Sequence, residues 1–326
     1  MTSRLAFFSA LSLSIAVTVA SAQQRPAITG IAFARVYASD PFASDAFYRM
    51  LGFASEPPTD TLQRYQVSAT QWIEVAPLPD TPPASRLAAV GFTTTDAAAL
   101  QTYLKSKSIP IAEPLANGVF TVLDPEGTRV VFVQSGSNQL HDLRTGGVGD
   151  RTSNRILHVG FLVKSAPTED HFWREILGFR EYWHGAAADA QPATRIDWQS
   201  LQVPDGTDWI EYMLNSTLPA DSEAAAHQLG VLDHFSLGTA HMPDVIAALD
   251  RNGCAAGPQA ENCTKSKLGR DGKLQLNLFD PDQTRVEYME FQPSGPTCCS
   301  EFKAKHPTPE SPPEKSNEPP IKSLLR

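Results

Sequence analysis

Two histidines and two glutamates in the second half of this 326-residue chain recur at one interval. His158 precedes Glu211 by 53 residues, and His234 precedes Glu287 by the same 53. Each histidine belongs to an apolar run, Ile156-Leu157-His158-Val159-Gly160-Phe161 and Val231-Leu232-Asp233-His234-Phe235-Ser236-Leu237. Each glutamate lies inside another, Asp208-Trp209-Ile210-Glu211-Tyr212-Met213 and Thr284-Arg285-Val286-Glu287-Tyr288-Met289. Short apolar runs of this kind read as strands. Imidazole and carboxylate held on strands are what a divalent metal needs if it is to keep positions open for an oxygen-bearing substrate. A single histidine at a strand start is more often structural, and Glu287 could simply pair with Arg285.

The elements that must carry these residues are themselves repeated. Ile28-Thr29-Gly30-Ile31-Ala32-Phe33, a helical stretch ending Leu51-Gly52-Phe53, and Gln71-Trp72-Ile73-Glu74-Val75 correspond to Ile156–Phe161, a helical stretch ending Leu177-Gly178-Phe179, and Asp208–Tyr212. Glycine in those triplets suits the left-handed position that closes a helix. A second pair follows in register. Val90-Gly91-Phe92 precedes a helix near 96–105, and Asp233-His234-Phe235 precedes one near 243–251. Both end in an Asp-Pro turn, Asp124-Pro125-Glu126-Gly127 and Asp280-Pro281-Asp282-Gln283, after which a strand resumes. The chain therefore reads as four units of strand, helix and several strands, near 28–79, 86–134, 155–214 and 229–291.

Tandem βαβββ units whose last strand follows an Asp-Pro turn and runs Thr284-Arg285-Val286-Glu287 resemble the vicinal oxygen chelate superfamily. That group includes glyoxalase I, extradiol ring-cleaving dioxygenases and the fosfomycin- and bleomycin-resistance proteins. The resemblance covers residues 28–291 and implies an α+β fold. In it, four βαβββ units pair into two tandem glyoxalase-like domains, each an open cupped β-sheet barrel with helices outside. Ligands then project into the cup from the first and last strand of each unit, which places His158, Glu211, His234 and Glu287 around one cation. The same mapping in the first half gives Gly30, Glu74, Gly91 and Val131, a set with no imidazole, so the domain at 23–140 is expected to be metal-free. The domain at 155–291 is expected to hold the metal: iron, nickel, zinc or manganese. Period-two alternation puts His158 on one face with Ile156 and Gly160.

The resemblance implies a metal-dependent enzyme for a small oxygen-chelating substrate, with Glu211 and Glu287 catalytic as well as ligating. Two histidines and two glutamates resemble the glyoxalase I set and favour lyase or isomerase chemistry, in which a carboxylate shuttles a proton. Two histidines and Glu287 alone would match the facial triad of an oxygenase, with Glu211 outside the coordination sphere. Extradiol enzymes usually carry a further histidine before the last Asp-Pro turn, where this chain has Leu274-Gln275-Leu276. A resistance-type member would instead bind its ligand among aromatics without chemistry. Trp198, Trp209, Tyr182 and Arg285 are expected to line the pocket, with Tyr288 a further aromatic and His184 a further candidate. His171, His227 and His241 are read as surface residues, and Glu290 as facing outward.

Composition bounds the rest. Arg4, the apolar run from Leu5 to Ala20, and Ala20-Ser21-Ala22 read as a signal peptide cut after Ala22, giving a secreted or periplasmic protein. No later stretch reaches the roughly 20 apolar residues of a membrane helix. The formal charge of −9, with no basic run, argues against nucleic acid. Residues 292–326, rich in Pro, Ser, Lys and Glu, read as a disordered tail. Cys254 and Cys263 share a loop where export would permit a disulfide, whereas Cys298 and Cys299 are read as structural or lone thiols. The sequence leaves the oligomeric state open.

Overall fold

A computed structural model describes residues 24–310, apart from 60, 138–148, 191 and 193. The proposed signal peptide and residues 311–326 lie outside the described residues. The first half contains β1 (Ile28–Ala38), α1 (Pro41–Met50), β2 (Ala54–Ser55), β3 (Gln63–Gln66), β4 (Trp72–Pro77), β5 (Leu87–Thr94), α2 (Ala97–Ser106), β6 (Ile111–Ala116), β7 (Val119–Leu123) and β8 (Arg129–Gln134). The second contains β9 (Ile156–Leu162), α3 (Ala166–Asp170), β10 (Arg180–Gly185), β11 (Trp198–Gln202), β12 (Trp209–Met213), α4 (Ser222–Leu232), β13 (His234–Thr239), α5 (Met242–Arg251), β14 (Ser266–Leu268), β15 (Leu274–Phe279) and β16 (Arg285–Glu290). Each half is one eight-stranded sheet, ordered β2-β3-β4-β1-β5-β8-β7-β6 and β10-β11-β12-β9-β13-β16-β15-β14.

The order shows how the units pair. Within each unit the first strand runs parallel to the last, as β9 does to β12 and β13 to β16. First strands of neighbouring units pair antiparallel, β1 with β5 and β9 with β13, so the four strands that carry His158, Glu211, His234 and Glu287 sit side by side at the centre of the second sheet. Local chemistry sets the ends. Asp40 and Asp96 cap α1 and α2 through their carboxylates, and Gly52 and Gly178 take φ of 78° and 80° after the helical segments. In the third unit α3 runs into a π-helical turn at His171–Ile176, and α4 is a helix added between the last two units.

One face of each sheet packs on the helices. Val159, Phe161, Ile210, Tyr212, Phe235, Leu237, Val286 and Tyr288 join Tyr48, Tyr65, Phe92 and Phe132 of the first half in a single core. Each large side chain sealed there contributes roughly 1.5–3 kcal/mol through the area it removes from water. The halves are also tied at their centres. Gln71 Nε2 donates to the carbonyls of Ile31 and Ile156, its Oε1 accepts from the Ile156 amide, and Asp208 Oδ2 accepts from the Ile31 amide.

Strict alternation fails beside His158. The β9–β13 register slips between Ser236 and Leu237, opposite Leu157, and the β1–β5 register slips at the matching position, between Ile31 and Phe33. Leu157 therefore joins the concave-side cluster and Ile156 the core, so Ile156 does not share the face of His158 as expected. A bulge re-aims the residues after it, and here it aims His158 into the cup.

The two cysteine pairs are both closed. Cys254–Cys263 forms a disulfide as the sequence allowed, and Cys298–Cys299 forms a second one instead of lone thiols. The expectation of a structureless tail from residue 292 fails for 292–310. That segment has no helix or strand, yet the Lys303 amide donates to the Tyr182 carbonyl, and Gln202 Nε2 donates to the Lys305 carbonyl. Phe302 packs on Tyr182 with ring centroids 4.9 Å apart, an aromatic anchor that outweighs the surrounding polar composition.

Candidate metal centre

The four strands bring the four sequence-predicted residues to one spot on the concave face. His158 Nε2 and His234 Nε2 are 3.1 Å apart, and Glu211 Oε2 lies 4.0 Å from the first and 3.9 Å from the second. Glu287 Oε2 is 3.3 Å from His158 Nε2 and has no hydrogen-bond partner although it is buried. Both imidazoles are fully buried. His234 Nδ1 donates to the Leu232 carbonyl at 2.8 Å, which leaves Nε2 with its lone pair facing inward. Ser200 Oγ donates to Glu211 Oε1 at 3.2 Å.

Gly160 makes this possible. A Cβ there would stand 2.1 Å from His234 Cε1, so any side chain would occupy the place of the imidazole. His158 is held from the other side by Trp209, stacked at 4.8 Å.

At this site burial outweighs the one guanidinium, Arg285, that faces the carboxylates. Burial, with Glu287 adding repulsion, pushes the Glu211 carboxyl up to about 8, and burial raises Glu287 too. Burial, reinforced by the Arg285 guanidinium, holds both imidazoles well below their usual range, so they are neutral. Neutral imidazoles and carboxylates short of cations are a donor set that fits a divalent metal. His158, Glu211 and His234 form a group whose ligand atoms lie within 4.8 Å of one another, so the triangle closes through Glu211, with Glu287 alongside His158.

Arg285 complicates that seat. Its Nη2 is 2.7 Å from His234 Nε2, and its Nη1 is 3.4 Å from Glu287 Oε1. The four side chains converge, and the pairing of Glu287 with Arg285 that the sequence left open is also present.

A cavity of ≈ 320 Å³ opens over the donors, lined by Trp183, Trp198, Glu211, Arg285, Glu287 and Met289 among others. Trp198 and Arg285 are among the residues that line it. Trp209 and Tyr182 do not: Trp209 backs His158, Tyr182 packs behind Trp209 at 4.9 Å, and Tyr288 is sealed in the core. His184 is half-buried on β10, paired with Glu181 at 2.8 Å. His171, His227 and His241 are exposed, with His227 on α4. Glu290 is buried, not outward, because its carboxylate accepts the Met242 amide at the start of α5.

Lys273 was not singled out by the sequence, where it is one lysine in a loop. It is fully buried, its Nζ 3.1 Å from Tyr182 Oη and within 4.9–5.3 Å of the Trp209, Tyr182 and Phe302 rings. Burial lowers it to about 8. Phe302 comes from the segment read as a disordered tail, and no local pattern announces that cage.

The register also corrects the first-half mapping. Phe33 pairs with Trp72 and Gly91 as His158 pairs with Trp209 and Ser236, and Arg35 faces Ala89 as Gly160 faces His234. Val131 faces Gly91 as Glu287 faces Ser236. The equivalents of the four donors are thus Phe33, Glu74, Ala89 and Val131, and not Gly30 or Gly91. Glu74 is saturated by Arg35 at 2.7 Å, Arg64 at 3.1 Å and Trp72 Nε1 at 2.9 Å.

Tandem βαβββ units around central first strands define the fold of the vicinal oxygen chelate superfamily, and this chain has that fold. Among solved structures, it superposes on an extradiol ring-cleaving dioxygenase from B. fuscum with TM-score 0.60 and 17% identity, over 84% of this chain and 76% of that one. A variant of homoprotocatechuate 2,3-dioxygenase from Brevibacterium fuscum matches with TM-score 0.60 and 17% identity, over 82% and 72%. A xylose isomerase-like TIM barrel/4-hydroxyphenylpyruvate dioxygenase fusion protein matches with TM-score 0.57 and 14% identity, over 89% of this chain and 53% of its own. At such identities the likeness is one of fold. No protein-family model and no curated protein matches the sequence.

Proposed function

We propose that this chain is a metal-dependent enzyme acting on a small substrate with two adjacent oxygens, and that its reaction is oxygen-dependent ring cleavage. The observation that carries the reading is the convergence of His158, His234 and Glu211 beneath a cavity, with the buried Glu287 Oε2 unpartnered beside them. A divalent cation bound there supplies Lewis acidity toward the substrate oxygens. The chain's own residues do the rest. Neutral imidazoles offer lone pairs, Trp209 and Met289 keep water from the donors, and Trp183 and Trp198 give an aromatic substrate flat apolar walls. In the metal-free protein burial raises Glu211 to about 8, which suits this carboxyl, at the cavity wall, to exchange a proton with a substrate near neutral pH. Ring cleavage is favoured because solved structures sharing the whole tandem architecture are ring-cleaving dioxygenases.

A second reading, glyoxalase-like lyase or isomerase chemistry, is favoured by one observation. Gln275, which cannot act as an acid or base, lines the cavity where an extradiol enzyme would be expected to present histidine. Oxygen separates the two. With the iron-loaded protein and homoprotocatechuate, ring cleavage consumes one oxygen molecule per product, and a lyase or isomerase consumes none. For the centre itself, His158→Ala and His234→Ala should each reduce bound metal at least tenfold by elemental analysis while circular dichroism stays unchanged. Metal content equal to wild type would end the proposal.

We also propose export with cleavage after Ala22. The closed Cys254–Cys263 pair supports an oxidising compartment. A mature N-terminus at Gln23 is the expected result of protein sequencing, and a retained Met1 would count against it.

A further inference from the structure

The seat between the donors is contested by a cation the chain already carries. Arg285 stands two residues before Glu287 on β16, and its side chain is only 12% exposed. Its Nη2 lies 2.7 Å from His234 Nε2, and because His234 Nδ1 is committed to the Leu232 carbonyl, that Nε2 is the lone pair on offer. One lone pair cannot serve a guanidinium and a metal together. Nη1 reaches Glu287 Oε1 at 3.4 Å, so the same side chain touches two of the four donors. The Nε of Arg285 is buried without a partner, which marks a side chain whose hydrogen bonding is incomplete in this position.

Arg285 also lines the cavity, in company with Lys267 and Arg270. Three cations and three carboxylates, Glu211, Asp271 and Glu287, line one opening with aromatic walls from Trp183 and Trp198. A divalent cation held at Glu211 and Glu287 would therefore leave the mouth net positive and suited to an organic anion. We propose that Arg285 is an internal gate on the metal seat, and that the substrate carries an anionic group that draws the guanidinium off His234. This rests on the metal-dependent reading above. By linkage, an anion that engages Arg285 and a metal that needs His234 favour each other's binding.

Manganese(II) titration, read by the electron paramagnetic resonance of the free ion, tests the gate without any activity assay. Arg285→Met should bind manganese about tenfold tighter than wild type, since one charge-assisted hydrogen bond and one repelling charge are gone. Benzenesulfonate, an aromatic anion that is a poor metal ligand, should tighten manganese binding several-fold in wild type and leave Arg285→Met unchanged. Arg285→Lys, whose ammonium cannot span His234 and Glu287 together, should fall between them and serves if the methionine variant does not fold. If wild type binds and neither variant binds tighter, the gate is wrong and the metal reading stands. A wild type indifferent to benzenesulfonate removes the anionic substrate. If no form binds metal, the metal reading falls and takes the gate with it.

Discussion

Glu211 and the two imidazoles respond to pH in opposite senses, because burial disfavours whichever form is charged. The Glu211 carboxyl, ordinarily near 4.5, is raised to about 8, so between those values the native state holds a proton that the unfolded chain has lost. Its stabilisation is complete below 4.5 and is lost as pH rises through 8. His158 and His234 are held well below 6.5, so their contribution is present above 6.5 and is lost as pH falls. The effects oppose each other below 6.5, and above it Glu211 acts alone among the three. In the metal-free protein this carboxyl should cost about 2 kcal/mol of stability between pH 6.5 and 8. Asp280, raised to about 7, and Glu169, raised to about 8, push the same way, so the difference from a Glu211→Gln variant is what isolates the residue. Urea unfolding in the presence of a chelator should show the variant gaining on wild type across that window. Parallel curves would mean that Glu211 does not titrate there.

At the scale of elements, what was legible in the sequence is what short-range rules govern. Unit order, the Gly52 and Gly178 helix ends and the strands that carry His158, Glu211, His234 and Glu287 follow from spacing and turn chemistry. The bulge at Leu157 was not legible, because a one-residue slip in register leaves composition unchanged. Nor was the anchoring of 292–310, where a single phenylalanine among polar residues gives no periodic signal. Phe302 closes the cage over Lys273 and packs on Tyr182, which itself backs Trp209 and so His158. Phe302→Ala should lower stability by about 1–3 kcal/mol, less than a fully buried phenylalanine because this one is partly exposed. The same variant should loosen the Trp209 stack. A chemical-denaturation midpoint and the tryptophan emission maximum check the two halves of this expectation. A midpoint and spectrum identical to wild type would show that the segment merely lies on the sheet.

The whole molecule performs a comparison on itself, since two sheets of one topology differ in the residues at four equivalent positions. Phe33, Ala89 and Val131 stand where His158, His234 and Glu287 stand, while Glu74 and Glu211 are the shared carboxylate. Supplying the missing donors should not by itself create a second centre. Arg35 occupies the place of Gly160, where any side chain collides with an imidazole at the neighbouring position, and it also neutralises Glu74. Arg64 occupies the place of Ser200 and holds the other Glu74 oxygen. A variant with Phe33→His, Ala89→His and Val131→Glu should therefore retain one metal equivalent per chain. Adding Arg35→Gly and Arg64→Ser frees both the space and the carboxylate, and the stoichiometry should rise to two. A second equivalent in the three-substitution variant would show that the arginines do not exclude metal. One equivalent in the folded five-substitution variant would show that register and donor type do not suffice, and that the curvature of the second sheet sets the site.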